Sequence, residues 1–233
     1  DNNDRPGILL SSAIDRYANL YGVACGEKNI LFTNNDSAYE TAISLNQKGI
    51  KVDAVIDNRE EVESKLIRDT ENSNIKVYKG YAVVDTSGYK RINKVSIMQL
   101  SKDGQKVIGS KISINCDCLG ISGGWTPAVH LFTQSGGKLK FREEDQVFIP
   151  NEYSSDQISI GSCAGDFTLD EILLNTPKNL RNFLNIKKSE YENLEVNSSF
   201  NKSKRNIWLL PSDKVIGKTK AFVDYQNDAT AKD

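Results

Sequence analysis

Three groups of residues have the types and spacing that cofactor chemistry uses. The first is Gly123-Gly124 with Pro127, which ends the apolar run Cys118-Leu119-Gly120-Ile121-Ser122. That run is small and apolar enough for a strand buried on both faces. The glycines let the backbone turn without a Cβ clash, and Pro127 stops the strand. At the carboxyl edge of a sheet such a turn turns backbone amides toward a ligand, so Gly123, Gly124 and Pro127 are candidate cofactor contacts. The second is Gly165-Asp166, at the end of Ile158 to Asp166, which reads as a strand delivering the pair to a helix over Leu169 to Leu174. A helix amino terminus has free amide donors, and Asp166 either binds a ribose or ribityl hydroxyl there or caps the helix.

The third group lies on a β-α-β unit. Asn29 to Thr33 and Val52 to Ile56 read as buried strands, and Asp36 to Lys48 as the helix between them, capped by Asn35 or Asp36. The second strand runs into Asp57, where a dinucleotide fold places an acid for the ribose hydroxyls. The phosphate loop, however, is Thr33-Asn34-Asn35-Asp36, and no G-x-G-x-x-G occurs anywhere in the chain. Side chains would crowd the backbone, and Asp36 would meet a pyrophosphate with like charge. This half-domain reads as Rossmann-like in shape and empty; the alternative is that Asn34 and Asn35 donate to a nucleotide.

Other elements frame these groups. A helix is predicted from Ser11 to Leu20, with Ile14, Tyr17, Ala18 and Tyr21 on one stripe and Gly22 as its stop. Val62, Leu66 and Ile67 suggest a surface helix after Asp57. Ile75 to Asp85, Arg91 to Leu100 and Lys106 to Ile114, separated by Ser87-Gly88 and Asp103-Gly104, read as a three-stranded β-meander. Val147 to Pro150 reads as a short strand. Lys187 to Arg205 is polar and reads as a linker; Lys187-Lys188 and Lys202-Ser203-Lys204-Arg205 read as solvated faces.

Composition excludes several classes. Thirty basic against thirty-one acidic residues leave a net charge of -1, which gives no electrostatic case for nucleic acid or an anionic membrane as partner. No apolar run reaches the length of a membrane span. The four cysteines, Cys25, Cys116, Cys118 and Cys163, are too few and irregular for a disulfide framework and suit a reducing cytoplasm. Cys116 and Cys118 alternate along a predicted strand, pointing to one face as core filling rather than as metal ligands. His130, the only histidine, lies among Ala128, Val129, Leu131 and Phe132 and reads as structural; Trp125 reads as a plug across the glycine turn. No metal ligand set and no catalytic pair stands out.

Ser122 to Leu131, SGGWTPAVHL, with Gln134 to Leu139, QSGGKL, resembles the alpha subunits of heterotetrameric sarcosine oxidases. So do Arg5 to Leu10, RPGILL, Tyr21-Gly22-Val23, Phe32 to Asp36, FTNND, and Ala221 to Asp228, AFVDYQND. The resemblance spans nearly the whole chain and implies an internal fragment. The implied fold is α/β: a Rossmann-like nucleotide-binding domain of the disulfide-reductase flavoprotein type with a three-stranded β-meander, followed by the start of a small helical module. The implied boundaries are 1–185 for the flavoprotein-type domain, with about 24–115 its second nucleotide-type subdomain and 116–185 a return to the first. A linker over 186–206 and a small module over 207–233 follow.

The implied function is oxidative demethylation of sarcosine to glycine, with hydrogen peroxide and formaldehyde or methylene-tetrahydrofolate. The resemblance implies NAD on the alpha subunit, FMN at the alpha–beta interface, FAD on the beta subunit, and tetrahydrofolate in a domain not included here. Beta, gamma and delta subunits are the implied partners. Relatives of the last module bind an iron-sulfur cluster through paired cysteines; Phe222 to Asn227 has no cysteine, which removes that chemistry. The region alone is expected to be catalytically silent. An amine, opine or proline dehydrogenase alpha subunit, or a non-catalytic scaffold, are the other readings.

Overall fold

In the computed structural model, the described residues are 2–153, 156–186, 205–207, 209–211, 220–224, 227–230 and 232–233. In chain order the elements are β1 (Ile8–Leu10), α1 (Ser11–Tyr21), β2 (Asn29–Thr33), α2 (Ser37–Gln47), β3 (Val52–Asp57), α3 (Lys65–Asn72) and β4 (Lys76–Lys79). There follow β5 (Tyr81–Ser87), β6 (Lys94–Leu100), β7 (Val107–Asn115) and β8 (Cys118–Ser122). Then come α4 (His130–Gln134), β9 (Lys138–Arg142), β10 (Val147–Glu152), a 3-10 turn at Gly161–Ala164, α5 (Leu169–Leu184), β11 (Phe222–Asp224) and β12 (Ala229–Thr230).

Two compact units divide the chain, residues 1–124 with 201–233, and residues 125–200. In the first, β1-β8-β2-β3-β4 form a sheet whose neighbours all run parallel. Parallel strands must be buried on both faces, and β2, β3 and β8 supply apolar residues on alternate sides. Leu31, Val55 and Cys118 join Ile14, Tyr39, Leu45 and Ile67 in the core under the helices. Ile30, Ile56 and Leu119 join Ile92, Val95 and Ile97 on the opposite side, against the antiparallel sheet β5-β6-β7. Gly120, mid-strand in β8, makes the helix layer fit: a Cβ there would lie 2.5 Å from Leu31 Cδ2 and 2.9 Å from Ile14 Cδ1.

The β-α-β unit, the meander and the returning strand form as the sequence indicates. Several details differ. The strand expected over Ile75 to Asp85 is two strands, because Gly80 turns with φ +73° and shifts the chain from the parallel sheet into the meander. Its N–H donates to Arg59 O, and its carbonyl accepts from Leu100 N. On α1 only Ile14 and Ala18 of the expected stripe are buried; Tyr17 and Tyr21 are exposed and pack on each other. The three residues of β1 are too few to carry a periodicity.

Cys116 and Cys118 do not share a face. The chain leaves β7 at Asn115 and enters β8 at Cys118, so the alternation of a continuous strand does not apply, and the two thiols enter different core clusters. Returning strand β8 pairs with β1 and β2, so it stays with the sheet of the 24–115 region, and the first unit runs on to Gly124.

In the second unit β9 and β10 form an antiparallel hairpin. Ile158 to Ile160 is not a strand. A 3-10 turn at Gly161–Ala164 closes on Gly165, with φ +93°, before α5 begins. That helix runs to Leu184, past the predicted end at Leu174, and encloses Pro177. Its first turn is held by Glu171, whose Oε2 accepts from Phe167 N and Thr168 N, each at 3.1 Å.

The described part of 207–233 is a β11-β12 hairpin, with no helix among its described residues. Asn3 grips it: Nδ2 donates to Phe222 O and Oδ1 accepts from Phe222 N, both at 2.8 Å. Most of the 186–206 linker, including Lys187-Lys188 and Lys202 to Lys204, lies outside the described residues.

Candidate functional site

The carboxyl edge of the parallel sheet gathers the ends of β2, β3 and β8, and Gly123-Gly124 meets the Thr33 to Asp36 loop and Asp57 there. Thr33 ends β2, Asp57 ends β3 and Ser122 ends β8, in register with Thr33 opposite both Asp57 and Ser122. Asn34, Asn35, Asp36, Asp57, Asn58 and Arg59 are all buried.

Asp57 is fully engaged by its own neighbours. Its Oδ1 accepts from Arg59 N at 2.9 Å and Arg59 Nε at 3.0 Å, and its Oδ2 from Arg59 Nη2 at 2.7 Å and Tyr39 OH at 2.8 Å. Arg59 Nη2 also reaches Asp36 Oδ1 at 2.8 Å, which ties the start of α2 to the end of β3. Burial works against the guanidinium's charge, but hydrogen bonds and charges from Asp57 and Asp36 outweigh it and raise the Arg59 pKa. Burial, with Asp57 beside it, pushes the Tyr39 phenol well above its usual range. Two buried carboxylates are tolerated because one bidentate cation and a phenol satisfy them.

Three of the amides that a glycine loop would offer to phosphate are already used. Asn34 N donates to Ser122 O at 3.3 Å, Asn35 N to Thr33 Oγ1 at 3.1 Å, and Ser37 N to Asn35 Oδ1 at 3.0 Å. Asn35 thus caps α2 with its side chain, while Asp36 turns to Arg59. The side-chain amides are spent too: Asn34 Nδ2 donates to Gly123 O at 3.0 Å, and Asn35 Nδ2 to Asn34 Oδ1 at 2.7 Å and Ser122 Oγ at 3.2 Å. These amides and the Asp57 carboxylate are therefore occupied by the chain's own groups.

A segment distant in sequence completes the arrangement. Arg205 Nη1 donates to Asn58 O at 2.9 Å, and its Nη2 to Ser101 O at 2.9 Å and Lys102 O at 2.8 Å. Asn58 Nδ2 donates to Arg205 O at 2.9 Å, and Asn34 Nδ2 to Asn206 Oδ1 at 3.1 Å. Arg205 therefore belongs to the fold and not to a solvated face.

The five residues predicted as cofactor contacts divide between the units. Gly123 and Gly124 close β8 in the first; Gly124 has φ +116°, and a Cβ on Gly123 would meet nothing within 4 Å. Pro127, Gly165 and Asp166 belong to the second. Gly165 is close-packed, with its carbonyl 2.8 Å from Arg142 Nη2. Asp166 does not cap α5: its Oδ1 accepts from Asn175 Nδ2 at 2.9 Å. His130 and Trp125 are exposed, so neither a buried structural histidine nor a core plug describes them. Among the described residues no three His, Cys, Asp or Glu side chains gather as a metal site, and no helix is long and apolar enough to cross a membrane.

Sequence reasoning missed Arg59 and Tyr39. Two acids destined for burial at a strand end and a helix start require a cation, and Arg59, two residues past Asp57, was the signal available.

Parallel strands in the order β1-β8-β2-β3-β4, with a β-meander between β4 and the returning β8, define a Rossmann-like α/β fold. A cysteine-to-serine variant of the HOCl-induced flavoprotein disulfide reductase RclA from Escherichia coli matches this fold. Its TM-score is 0.50 at 15% identity, over 78% of this chain and 40% of that one. No protein-family model matches. In sequence the chain is similar over its whole length to alpha subunits of sarcosine oxidase. It is 31% identical over 247 residues to that of Corynebacterium sp. strain P-1, and 28% identical over 248 residues to that of Rhizobium meliloti strain 1021. The chain spans about a quarter of the length of these curated relatives, 24% and 22%.

Proposed function

We propose that this chain is the second nucleotide-type domain, with its return segment, of an alpha subunit in a sarcosine oxidase-type flavoenzyme that oxidises a CH–NH bond. Similarity to the Corynebacterium alpha subunit along 100% of the chain carries the reading. Flavins of the assembly, FAD on beta and FMN at the alpha–beta interface, would supply the two-electron oxidation of sarcosine. Water completes the conversion to glycine and formaldehyde, or tetrahydrofolate takes the one-carbon unit, and oxygen accepts the electrons as hydrogen peroxide.

This region's own part is structural and positional. Its two buried acids share Arg59 as their counter-ion. NAD, in this reading, is held by the alpha subunit elsewhere than on this sheet edge. Gly123, Gly124, Pro127, Gly165 and Asp166 contribute to the cofactor surroundings; the open space over Gly123 supports close backbone approach by a ligand. Docking to beta, gamma and delta subunits is supported by α5, none of whose residues is buried, with Leu169, Leu174 and Leu184 at 60%, 64% and 52% exposure. Full-length subunit co-expressed with its partners tests the reading: cofactors released by denaturation are identified while sarcosine-dependent peroxide is assayed. NAD and flavins with turnover support it. An assembly inert toward sarcosine but active on another amine or opine rejects it.

A further inference from the structure

We infer that the carboxyl edge of this Rossmann-like sheet is permanently closed by the chain's own residues, with Arg205-Asn206 strapped over it and the Asp36–Arg59–Asp57 cluster in place of a dinucleotide's phosphate and ribose partners. The strap adds what the loop alone does not supply. One guanidinium clamps three carbonyls from two loops, those of Asn58, Ser101 and Lys102, while the strap's backbone and Asn206 side chain accept from Asn58 and Asn34. The Asp103-Gly104 hairpin is shaped for it: at Gly104, φ +74°, a Cβ would lie 3.0 Å from Arg205 Nη2 and 3.3 Å from Ile207 Cδ1.

Charge at the edge points the same way. Displacing the strap would free Arg205, but the pyrophosphate would still face the buried Asp36 carboxylate with no unspent amide at Asn34, Asn35 or Ser37. The inference does not depend on which amine the assembly oxidises.

Hydrogen–deuterium exchange on the full-length assembled enzyme tests it, with NAD at millimolar concentration as the probe. Amides of Thr33 to Asp36 and Asp57 to Arg59 are expected to exchange at the same rate with and without NAD, whatever the enzyme does with sarcosine. Protection of those amides by NAD overturns the inference. In Arg205→Ala the amides of Asn58, Arg59 and Gly104 are expected to exchange about tenfold faster or more, the loss of charge-assisted bonds opening the edge locally. Unchanged exchange there in that variant removes the strap.

Discussion

Arg59 and Asp57 form a buried pair two residues apart, Nη2 to Oδ2 at 2.7 Å, with their side chains 4% and 0% exposed. The same nitrogen reaches Asp36, so one cation serves both acids at the sheet edge. Removing it leaves two buried carboxylates without their cation. Arg59→Ala is expected to cost about 3–5 kcal/mol, read as a lower urea midpoint by circular dichroism. A triple variant, Asp36→Asn, Asp57→Asn and Arg59→Met, is expected to recover most of that loss, because it removes the uncompensated charge. Loss below about 1 kcal/mol in Arg59→Ala would place the cluster among pairs of no structural weight.

The thiols separate by burial. Cys163 is exposed, whereas burial pushes Cys116 and Cys118 up to about 12 from 9.0. With a thiol reagent near pH 8, Cys163 is expected to react in the native state and Cys116 and Cys118 only after denaturation. The pH dependence follows. A thiol whose folded pKa is raised contributes stability that is fully present below its unfolded value, and the unfolded chain loses its proton first as pH rises. Stability is therefore expected to fall between about pH 9 and 12, and replacing both cysteines with alanine should flatten that decline.

Gly120 and Gly123 give a matched contrast within three residues. Gly120→Ala drives a methyl against Leu31 and Ile14 and is expected to cost about 1–3 kcal/mol. Gly123→Ala enters open space and should be within about 0.5 kcal/mol of the parent. Equal thermal midpoints for the two variants would contradict the packing of β8 under α1.

Asp166 and Asn175 test whether the Gly165-Asp166 turn touches a cofactor. Asn175→Ala breaks the same hydrogen bond as Asp166→Ala but leaves the carboxylate. If Asp166 contacts the cofactor, Asp166→Ala in the assembled enzyme lowers bound nucleotide per subunit more than Asn175→Ala does. Equal content in both removes Asp166 from the site.

The β-α-β unit, the meander and the return to β8 were legible because buried parallel strands and turn glycines leave strong local patterns, as in Asn29 to Thr33 and at Asp103-Gly104. Gly80 was hidden inside a run that reads as one strand, and its left-handed turn shows only in the backbone. Local signals also ended α5 early: Asn175-Thr176-Pro177 argues for a stop, yet the helix continues through Pro177, and Arg181 Nε donates to the Pro177 carbonyl. At the edge itself, the crowded loop and the like charge of Asp36 argued against a phosphate cradle, with donation by Asn34 and Asn35 as the alternative. The sequence could not show that Arg205, 146 positions after Arg59, clasps the same loops, because no local pattern encodes so distant a contact.

Sarcosine-dependent hydrogen peroxide formation by the full-length subunit co-purified with its partners, alongside identification of the released cofactors, tests the proposed function most directly. Turnover of sarcosine with flavin and NAD present is the predicted result. An intact, flavin-loaded assembly that makes no peroxide from sarcosine would contradict it.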